Sequence, residues 1–422
     1  MAGIISGLML LFYGYIVLLI LLPTGSVFGV NVKLLAFLPL LFGALNRMAR
    51  EDYPLNSMSW NLFVLCAFFA WAFLYLFQPI NEPALAFSQF KDVVTTLAGC
   101  WIIRLFATSD REKFIRVCIF AMAFAGFLKV FIFGYAFMAG IPVSAIVEGI
   151  SKQFGVVLMS LDMGDFGGRI SFVSDTLLPI CIFALLCLRN RLGITAFQAT
   201  VALVFLLVSD LYTFARFTWG YTAVAIALAF VVSQKDRMHK WYIAACVAVV
   251  AYLSQAIFAT IAFRFSLDLM TSSDDLRVWQ IKALKEFFWD APFFGHGLGS
   301  HPNLIRSDIT PYSYEVQILA VVGQVGLIGS ALFLVILFNY YRKSFNFSEN
   351  KRYQLAVLIL IVCFIANGFF NPSLLSSASA VNFGLLFMLA SLNPRISIPG
   401  SGLRVDIVTV RECEEAQLTP VG

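Results

Sequence analysis

Residues 261–329 read IAFRFSLDLMTSSDDLRVWQIKALKEFFWDAPFFGHGLGSHPNLIRSDITPYSYEVQILAVVGQVGLIG and contain the longest polar interval in a chain built otherwise of apolar runs. The interval begins where one apolar run ends and closes where the next run begins. This position predicts a large loop at one face of a membrane. Long loops on a rigid scaffold often carry function. A solvated extramembrane domain without chemistry is the alternative interpretation.

The composition indicates the class of protein. Hydrophobic residues make up 60% of the chain, charged residues make up only 13%, and the mean hydropathy is +0.86. Soluble domains carry about 25% charged residues and rarely sustain apolar runs of about 18 residues. We therefore expect an all-α polytopic membrane protein with a large extracytoplasmic loop.

The apolar runs predict about twelve membrane-spanning helices, each near the roughly 20 residues that cross a bilayer. They lie at residues 4–22, 28–45, 60–77, 90–108, 114–139, 170–188, 194–209, 217–232, 241–262, 314–341, 353–370 and 372–391. Residues 1–392 then form a single transmembrane domain with two long outer loops, at residues 140–169 and 263–313. Residues 393–422 form a polar cytoplasmic tail.

The basic residues predict the orientation of the chain. With both termini inside, Lys and Arg concentrate in the cytoplasmic connections, as the positive-inside rule requires. These residues are Arg47, Arg50, Arg111, Lys113, Arg116, Arg189, Arg191, Lys235, Arg237, Lys240, Arg342, Lys343, Lys351 and Arg352. The net charge of +5 therefore reports orientation and does not indicate nucleic-acid binding.

Three arginines lie on or near the predicted outer face, where the short loops hold few cations. Arg216 lies in SDLYTFARFTWGYTAV, Arg277 lies in DDLRVWQIKAL, and Arg169 lies in GDFGGRISF. Snorkelling or pairing with a nearby aspartate accounts for any one of them. Together they indicate an anionic ligand, because a guanidinium binds phosphate oxygens bidentately and keeps its charge.

The stretch DAPFFGHGLGSHP, at residues 290–302, is rich in glycine and contains His296 and His301. We expect its glycines to permit a tight turn and close backbone approach. It lacks the GKS/T sequence of a Walker loop, and no strand precedes it. Neither the histidines nor the cysteines have zinc-ligand spacing, so we expect no metal and no cofactor.

Glu315 lies just before the apolar run that closes the interval. A carboxylate at a helix N-terminus is often only a favourable partner of the helix dipole. Partial desolvation could instead make it a general base. His296 and His301 are the alternative bases, since imidazole titrates near neutral pH without perturbation. Glu315 is preferred because the start of a helix can hold it more rigidly than a glycine-rich loop.

Three segments resemble, in order and setting, the O-antigen ligase and O-antigen polymerase superfamily. They are ARFTWGYTA at the mouth of a middle span, LRVWQIKAL followed by PFFGHGLGS in the large outer loop, and LAVVGQVGLIG in the closing helix. The resemblance covers roughly residues 209–338. In the ligases of that family a His-Asn pair precedes the GLIG-like turn, and Glu315 occupies the position of that histidine here.

The resemblance implies glycosyl transfer at the periplasmic face of a bacterial inner membrane, on a fold similar to the GT-C class. The donor is a glycan on undecaprenyl pyrophosphate, and the reaction is thought to invert the anomeric centre without a metal. Arg216 and Arg277 match the arginines that hold the donor pyrophosphate, and Glu315 would take the proton from the attacking hydroxyl. Arg169, which matches no position of the family, Tyr314 and His301 are further candidates for substrate binding.

The acceptor distinguishes the two activities of that family. Polymerases use a second lipid-linked repeat unit, and ligases use lipid A–core oligosaccharide; the missing His-Asn pair favours a polymerase. A lipid-linked oligosaccharide transporter is a rival that the lack of a visible internal repeat disfavours, and a non-catalytic membrane scaffold would leave the outer arginines unexplained. The expected partners are the donor, the acceptor, membrane lipid and, as an option left open, a chain-length regulator protein. Nucleic acid is not expected.

Overall fold

The computed structural model describes residues 2–22, 26–28, 30–50, 68, 70, 72, 82–154, 159–162, 168–233, 267–308, 310–342, 344, 345, 347 and 350–392. The predicted span at residues 241–262, most of that at residues 60–77 and the tail at residues 393–422 lie outside the described residues. The protein is mostly helical, at 78%, which confirms the expectation of an α-helical fold.

Twelve α-helices, three short 3-10 helices and two short antiparallel hairpins make up the regular structure of the described residues. The helices are α1 (Ala2–Leu21), α2 (Val32–Arg50), α3 (Pro83–Ala107), α4 (Arg111–Ala139), α5 (Val143–Phe154), α6 (Leu178–Leu188), α7 (Ala196–Tyr212), α8 (Arg216–Val232), α9 (Leu267–Asp290), α10 (Gln317–Tyr341), α11 (Lys351–Ala366) and α12 (Ser377–Ala390). Strand β1 (Ser26–Val27) pairs with β2 (Val30–Asn31), and β3 (Met159–Asp162) pairs with β4 (Gly168–Ser171).

Among the described residues, three helical segments are long and apolar enough to cross a membrane. They are Pro83–Ala139, which comprises α3 and α4 with the short turn between them, Gln317–Tyr341 and Lys351–Phe369. Shorter apolar helices cover Gly7–Leu21, Val173–Leu188, Ala196–Tyr212, Arg216–Val232 and Ser377–Ala390. These helices agree with a membrane protein, and the count of about twelve spans stays a prediction.

The helices pack around one large apolar core, in which small residues allow close approach. Gly99 of α3 lies against Ala380 of α12, and Gly384 of α12 lies against Ile103 of α3. The centre of this core is filled by aromatic side chains such as Phe183. Close packing of small residues is a usual way for membrane helices to associate, because burial against lipid contributes little.

The predicted span at residues 170–188 is not one continuous helix. Strand β4 is followed by a 3-10 helix at Val173–Leu177, and only then does α6 begin. Asp175 explains the irregular start, because its Oδ2 accepts a hydrogen bond from the Phe172 amide at 2.8 Å. Its Oδ1 lies 2.6 Å from Nζ of Lys129, which is fully buried on α4. The turn therefore anchors β4 to the helix bundle, and Arg169 lies on that strand.

Helix α10 is interrupted at Gly326, and the glycine-rich loop supplies hydrogen-bond acceptors at the interruption. The predicted span at residues 314–341 starts at Gln317 in the structure, and Gly326 has the non-helical angles φ 67° and ψ −176°. The carbonyls of Pro292 and Phe293 accept hydrogen bonds from the amides of Leu327 and Ile328, at 2.9 and 3.2 Å. The loop thus satisfies backbone groups that the break leaves free, which an apolar environment requires.

Gly295 and Gly326 make this contact possible. Both have positive φ angles, of 75° and 67°. A Cβ atom at Gly295 would collide with the carbonyl oxygen of Gln324, and one at Gly326 would collide with that of Phe293. The expectation of a tight turn and close backbone approach is therefore confirmed, with α10 as the element approached.

A buried amide pair fixes the same loop to α3. Gln89 of α3 donates through Nε2 to Oε1 of Gln324 on α10, at 2.5 Å, and its own Oε1 accepts from the Gly299 amide, also at 2.5 Å. Nε2 of Gln324 donates in turn to the carbonyls of Ser300 and Tyr312, at 2.9 and 3.2 Å. Loop, α3 and α10 therefore form one rigid unit at this end of the bundle.

Candidate anion-binding site

A cavity of about 410 Å³ lies where β4, α8, α9, the start of α10 and the segment after α11 meet. We call it the arginine cavity. Its described lining consists of Arg169, Ala215, Arg216, Phe217, Arg277, Arg306, Glu315, Phe370, Asn371 and Pro372. Four arginines and one glutamate leave this lining with an excess of three positive charges. The structure thus brings Arg169, Arg216, Arg277 and Glu315 together at one cavity.

Arg216 is held at the first position of α8 by a tight connection from α7. The hydroxyl of Thr213 and Nε1 of Trp219 both donate to the carbonyl of Asp210, at 2.7 and 2.8 Å. Phe214, fully buried between them, has a left-handed conformation with φ 46°. The N-terminus of α8 therefore lies at the cavity, where its helix dipole adds to the positive potential.

Arg277 reaches the cavity from α9 and pairs with Glu315. Its Nε donates to Oε2 of Glu315 at 2.9 Å, and its guanidinium lies 5.9 Å from the centre of the Phe370 ring. The backbone of Glu315 is fixed as well, because its amide donates to Oε1 of Gln280 on α9 at 3.0 Å. Oε1 of Glu315 lies 3.8 Å from Nη2 of Arg306. Both carboxylate oxygens therefore face guanidinium groups.

Arg169 is partly desolvated on strand β4. Its Nε is buried, and among the described residues it has no hydrogen-bond partner. Burial lowers the pKa of Arg169, the carboxylates of Asp175 and Glu315 act in the opposite direction, and Arg306 lowers it further. Arginine remains charged despite such a change, because its ordinary pKa lies far above neutrality. A buried cation with a free donor is expected to be compensated by an anion.

Tyr314 and His301, which the sequence suggested for substrate binding, have other contacts. Tyr314 is fully buried, its hydroxyl donates to the carbonyl of Leu304 at 2.6 Å, and burial raises the pKa of Tyr314 to about 12. Nδ1 of His301 lies 3.0 Å from the carbonyl oxygen of Pro302. Neither residue belongs to the described lining of the arginine cavity. Their substrate-binding roles stay predictions without support from this geometry.

His296, the other alternative base, is held within the protein. Its ring stacks on Phe287 with a centroid distance of 4.0 Å, and its Nε2 lies 2.6 Å from the Phe287 carbonyl oxygen. These contacts agree with a structural role for this side chain.

The lining residues that were not singled out from the sequence include Arg306, Phe370 and Asn371. Arg306 lies in the same predicted outer loop as Arg277, so the charge argument applied to Arg277 could have found it. Phe370 stacks on Phe217 at a centroid distance of 4.9 Å, and Asn371 follows it. No charge or motif marks Phe370 and Asn371, and only the fold places them beside the arginines.

A second, polar cavity of about 320 Å³ adjoins the first, and Pro372 lines both. Its described lining consists of Lys33, Gln89, Asp92, Val173, Thr310, Tyr312, Ser313, Gln317, Ala320, Val321, Gln324, Pro372, Leu375, Ser376, Ser377 and Ala378. We call it the polar cavity.

The arrangement can hold a compact anion in the arginine cavity and a hydroxyl-rich group beside it. Within the described part of the chain, no group of three or more His, Cys, Asp or Glu residues is placed to hold a metal ion. The sequence matches no protein-family model and no curated protein. The function therefore has to be inferred from the geometry of the two cavities.

Proposed function

We propose that the protein polymerises undecaprenyl-pyrophosphate-linked oligosaccharide units into O-antigen or a related surface polysaccharide, and that the arginine cavity binds the donor pyrophosphate. The observation that supports this most directly is the meeting of Arg169, Arg216, Arg277 and Arg306 at one cavity. These arginines come from separate parts of the chain, so local sequence does not explain why they lie together. Like charges held close together are unfavourable unless an anion compensates them.

The cavity suits a pyrophosphate in charge and in size. An excess of three positive charges matches a group with several negative charges, and each guanidinium can bind two phosphate oxygens. A volume of about 410 Å³ accommodates a headgroup rather than a whole oligosaccharide, since small-molecule sites span roughly 300–1,000 Å³. The lipid chain and the glycan would extend out of the cavity.

The same arginines would assist the reaction. When the bond between the sugar C1 and the pyrophosphate oxygen breaks, negative charge develops on the leaving group. Fixed guanidinium groups stabilise that charge without having to reorganise, which is the usual basis of electrostatic catalysis. An inverting, metal-independent glycosyl transfer then needs only one further group, a base that takes the proton of the acceptor hydroxyl.

The sequence-based role of Glu315 as that base stays a prediction. The carboxylate lies at the cavity, as a base should. However, its two oxygens face Arg277 and Arg306, and proton uptake would compete with those contacts. A positioning role, in which Glu315 fixes the two guanidinium groups, is the simpler interpretation of these contacts.

The proposal also includes the cellular location and the membrane topology that the sequence predicts. We place the protein in a bacterial inner membrane, with about twelve spans in a GT-C-like arrangement and the arginine cavity facing the periplasm. Its partners are the lipid-linked donor, a lipid-linked acceptor and membrane lipid, and a chain-length regulator protein is the further partner to test.

A deletion strain tests the activity. Loss of the O-antigen ladder with a single repeat still attached to core supports a polymerase. Loss of all O-antigen from core would instead identify a ligase. Accumulation of donor on the cytoplasmic face would identify a transporter.

Purified protein in liposomes tests the site. Wild-type protein should bind undecaprenyl pyrophosphate, and Arg277→Ala should weaken this binding. Arg116→Ala is the matched control, because Arg116 is exposed near the start of α4 and lies outside the described lining of the cavity. Equal binding by wild type and Arg277→Ala would overturn the proposed donor site.

A further inference from the structure

The polar cavity lies directly beside the arginine cavity. Besides sharing Pro372, the two cavities are lined by neighbouring residues of the same two chain segments. Ser313 and Gln317 line the polar cavity, whereas Glu315 between them lines the arginine cavity. In the same way, Asn371 lines the arginine cavity and Leu375 lines the polar cavity. A molecule in one cavity would therefore lie next to a molecule in the other.

The lining of the polar cavity has the chemistry of a carbohydrate site. Hydroxyl, amide and charged side chains line it, with apolar residues between them. The polar members are Lys33, Gln89, Asp92, Thr310, Tyr312, Ser313, Gln317, Gln324, Ser376 and Ser377. Hydroxyl and amide groups both donate and accept hydrogen bonds, which suits a ligand with many hydroxyls. Its volume of about 320 Å³ suits one or two sugar rings rather than a lipid chain.

Several of these side chains are already fixed by the protein. Oε1 of Gln317 accepts a hydrogen bond from the Leu374 amide at 2.6 Å. The amide groups of Gln89 and Gln324 pair with each other, and the Tyr312 hydroxyl donates to Oγ of Ser88 at 3.1 Å. These contacts give the cavity rigid walls, and rigid walls favour precise placement of a ligand.

Asp92 differs from the other polar groups of the lining. It belongs to α3, and its backbone carbonyl accepts hydrogen bonds from the hydroxyls of Thr95 and Thr96, at 3.1 and 2.8 Å. No described group donates a hydrogen bond to its carboxylate, which is partly exposed at the cavity wall. Lys33 lines the same cavity without an ion pair to it among the described residues, and Lys91 beside it in sequence is exposed. The Asp92 carboxylate therefore has oxygens available to a ligand, unlike that of Glu315.

We infer that the polar cavity binds the acceptor sugar and that Asp92 accepts the proton of its attacking hydroxyl; this inference rests on the proposed donor site. The acceptor oxygen forms a bond to C1 of the donor sugar as the bond between C1 and the pyrophosphate oxygen breaks. The electron pair of the broken bond leaves with the pyrophosphate, whose charge the arginines hold. The proton of the hydroxyl passes to a carboxylate oxygen of Asp92 and later to water. Glu315 then acts as a positioning residue for Arg277 and Arg306.

The experiment measures donor binding and polymerisation separately, with full-length protein in liposomes. Asp92→Asn should reduce the polymerisation rate by about 10²–10⁴-fold, the usual contribution of a general base. Binding of undecaprenyl pyrophosphate by this variant should equal that of wild type. Asp290→Asn is the matched control, because Asp290 is exposed at the end of α9, and it should leave both measurements unchanged.

Chemical rescue separates a proton acceptor from a structural carboxylate. Asp92→Ala should be inactive, and added formate should restore part of its rate, because a small carboxylate can occupy the vacated space. Ser377→Leu provides a second route if variants of Asp92 fail to fold, since a larger side chain should raise the KM for acceptor without weakening donor binding.

The outcomes distinguish this inference from the proposed function. Normal polymerisation by Asp92→Asn, or loss of activity without formate rescue, would overturn the role of Asp92 while leaving the donor site intact. An unchanged KM for acceptor in a folded Ser377→Leu would overturn the acceptor cavity. Failure of wild-type protein to bind undecaprenyl pyrophosphate would instead overturn the proposed function itself.

Discussion

Nε of Arg277 donates to Oε2 of Glu315 across 2.9 Å and thereby joins α9 to the segment that precedes α10. The two side chains retain only 22% and 26% of their exposure, so both charges are partly desolvated. Removing one partner of such a pair leaves the other charge uncompensated. The pair therefore helps to set the position of the Arg277 guanidinium at the cavity.

Arg277→Lys is expected to weaken binding of undecaprenyl pyrophosphate by about tenfold, or about 1.4 kcal/mol. Lysine keeps the charge, but it lacks the planar guanidinium group, which can bind Glu315 and phosphate oxygens at the same time. Titration of the protein in liposomes with undecaprenyl pyrophosphate provides the measurement, and Arg116→Lys serves as the control. Full affinity in Arg277→Lys would show that charge alone matters at this position.

Glu315→Gln is expected to lose the O-antigen ladder because Arg277 and Arg306 lose their fixed partner. Binding of undecaprenyl pyrophosphate should then weaken several-fold together with the rate. The comparison is made at matched membrane abundance. A general base would give a different result, in which the rate falls and donor binding stays at the wild-type level.

His301→Ala is expected to retain substantial polymerisation activity. The described contact of the imidazole is to the adjacent Pro302 carbonyl, and the side chain lies outside the described lining of the arginine cavity. The lipopolysaccharide ladder of this variant, compared with that of Glu315→Gln, is the measurement. If only His301→Ala lost the ladder, the catalytic base would have to be sought in the glycine-rich loop.

Gly326→Ala is expected to destabilise the protein by about 1–3 kcal/mol through backbone strain, with a further cost from steric conflict. The added Cβ would collide with the carbonyl of Phe293 in the loop that completes α10. Gly134→Ala is the control, because no described residue outside the local helix backbone has an atom within 4 Å of a Cβ at that position on α4. Thermal unfolding of detergent-solubilised protein should show a lower midpoint for Gly326→Ala alone.

The topology is tested with reporter fusions. A reporter fused after Ser300 should lie outside the cytoplasm, and one fused at Asn346, which lies outside the described residues, should lie inside. The basic residues Arg342, Lys343, Lys351 and Arg352 motivate this expectation. The reverse pair of readings would place the arginine cavity on the cytoplasmic face and contradict the proposed function.

The sequence predicted the helical class and the meeting of Arg216 and Arg277 at one cavity, because both depend on the distribution of apolar and charged residues. Adjacency in the sequence did not predict which side chains share a site. Tyr314 and Glu315 are adjacent, yet Tyr314 is buried against the Leu304 carbonyl while Glu315 faces the arginines. Side-chain direction at a helix start depends on the local backbone, which residue types alone do not determine.

Features that depend on distant contacts were missed. The break in α10 at Gly326 exists because the loop carbonyls of Pro292 and Phe293 replace helical partners, and the hairpin of β3 and β4 lies in a stretch predicted as loop. Asp92 lies near the start of the predicted span at residues 90–108 and is not among the site residues predicted from the sequence. Its significance emerges only when α3 is placed beside Ser313 and Ser376.

The break in α10 also bears on how the chain is made. Synthesis proceeds from the N-terminus, so the loop with Pro292 and Phe293 leaves the ribosome before Gly326 does. The amides of Leu327 and Ile328 therefore meet acceptors that already exist when this segment enters the bilayer. A chain in which the loop is delayed or cut would present two unpaired amides to lipid at this step. Correct insertion of this helix thus depends on the loop that precedes it.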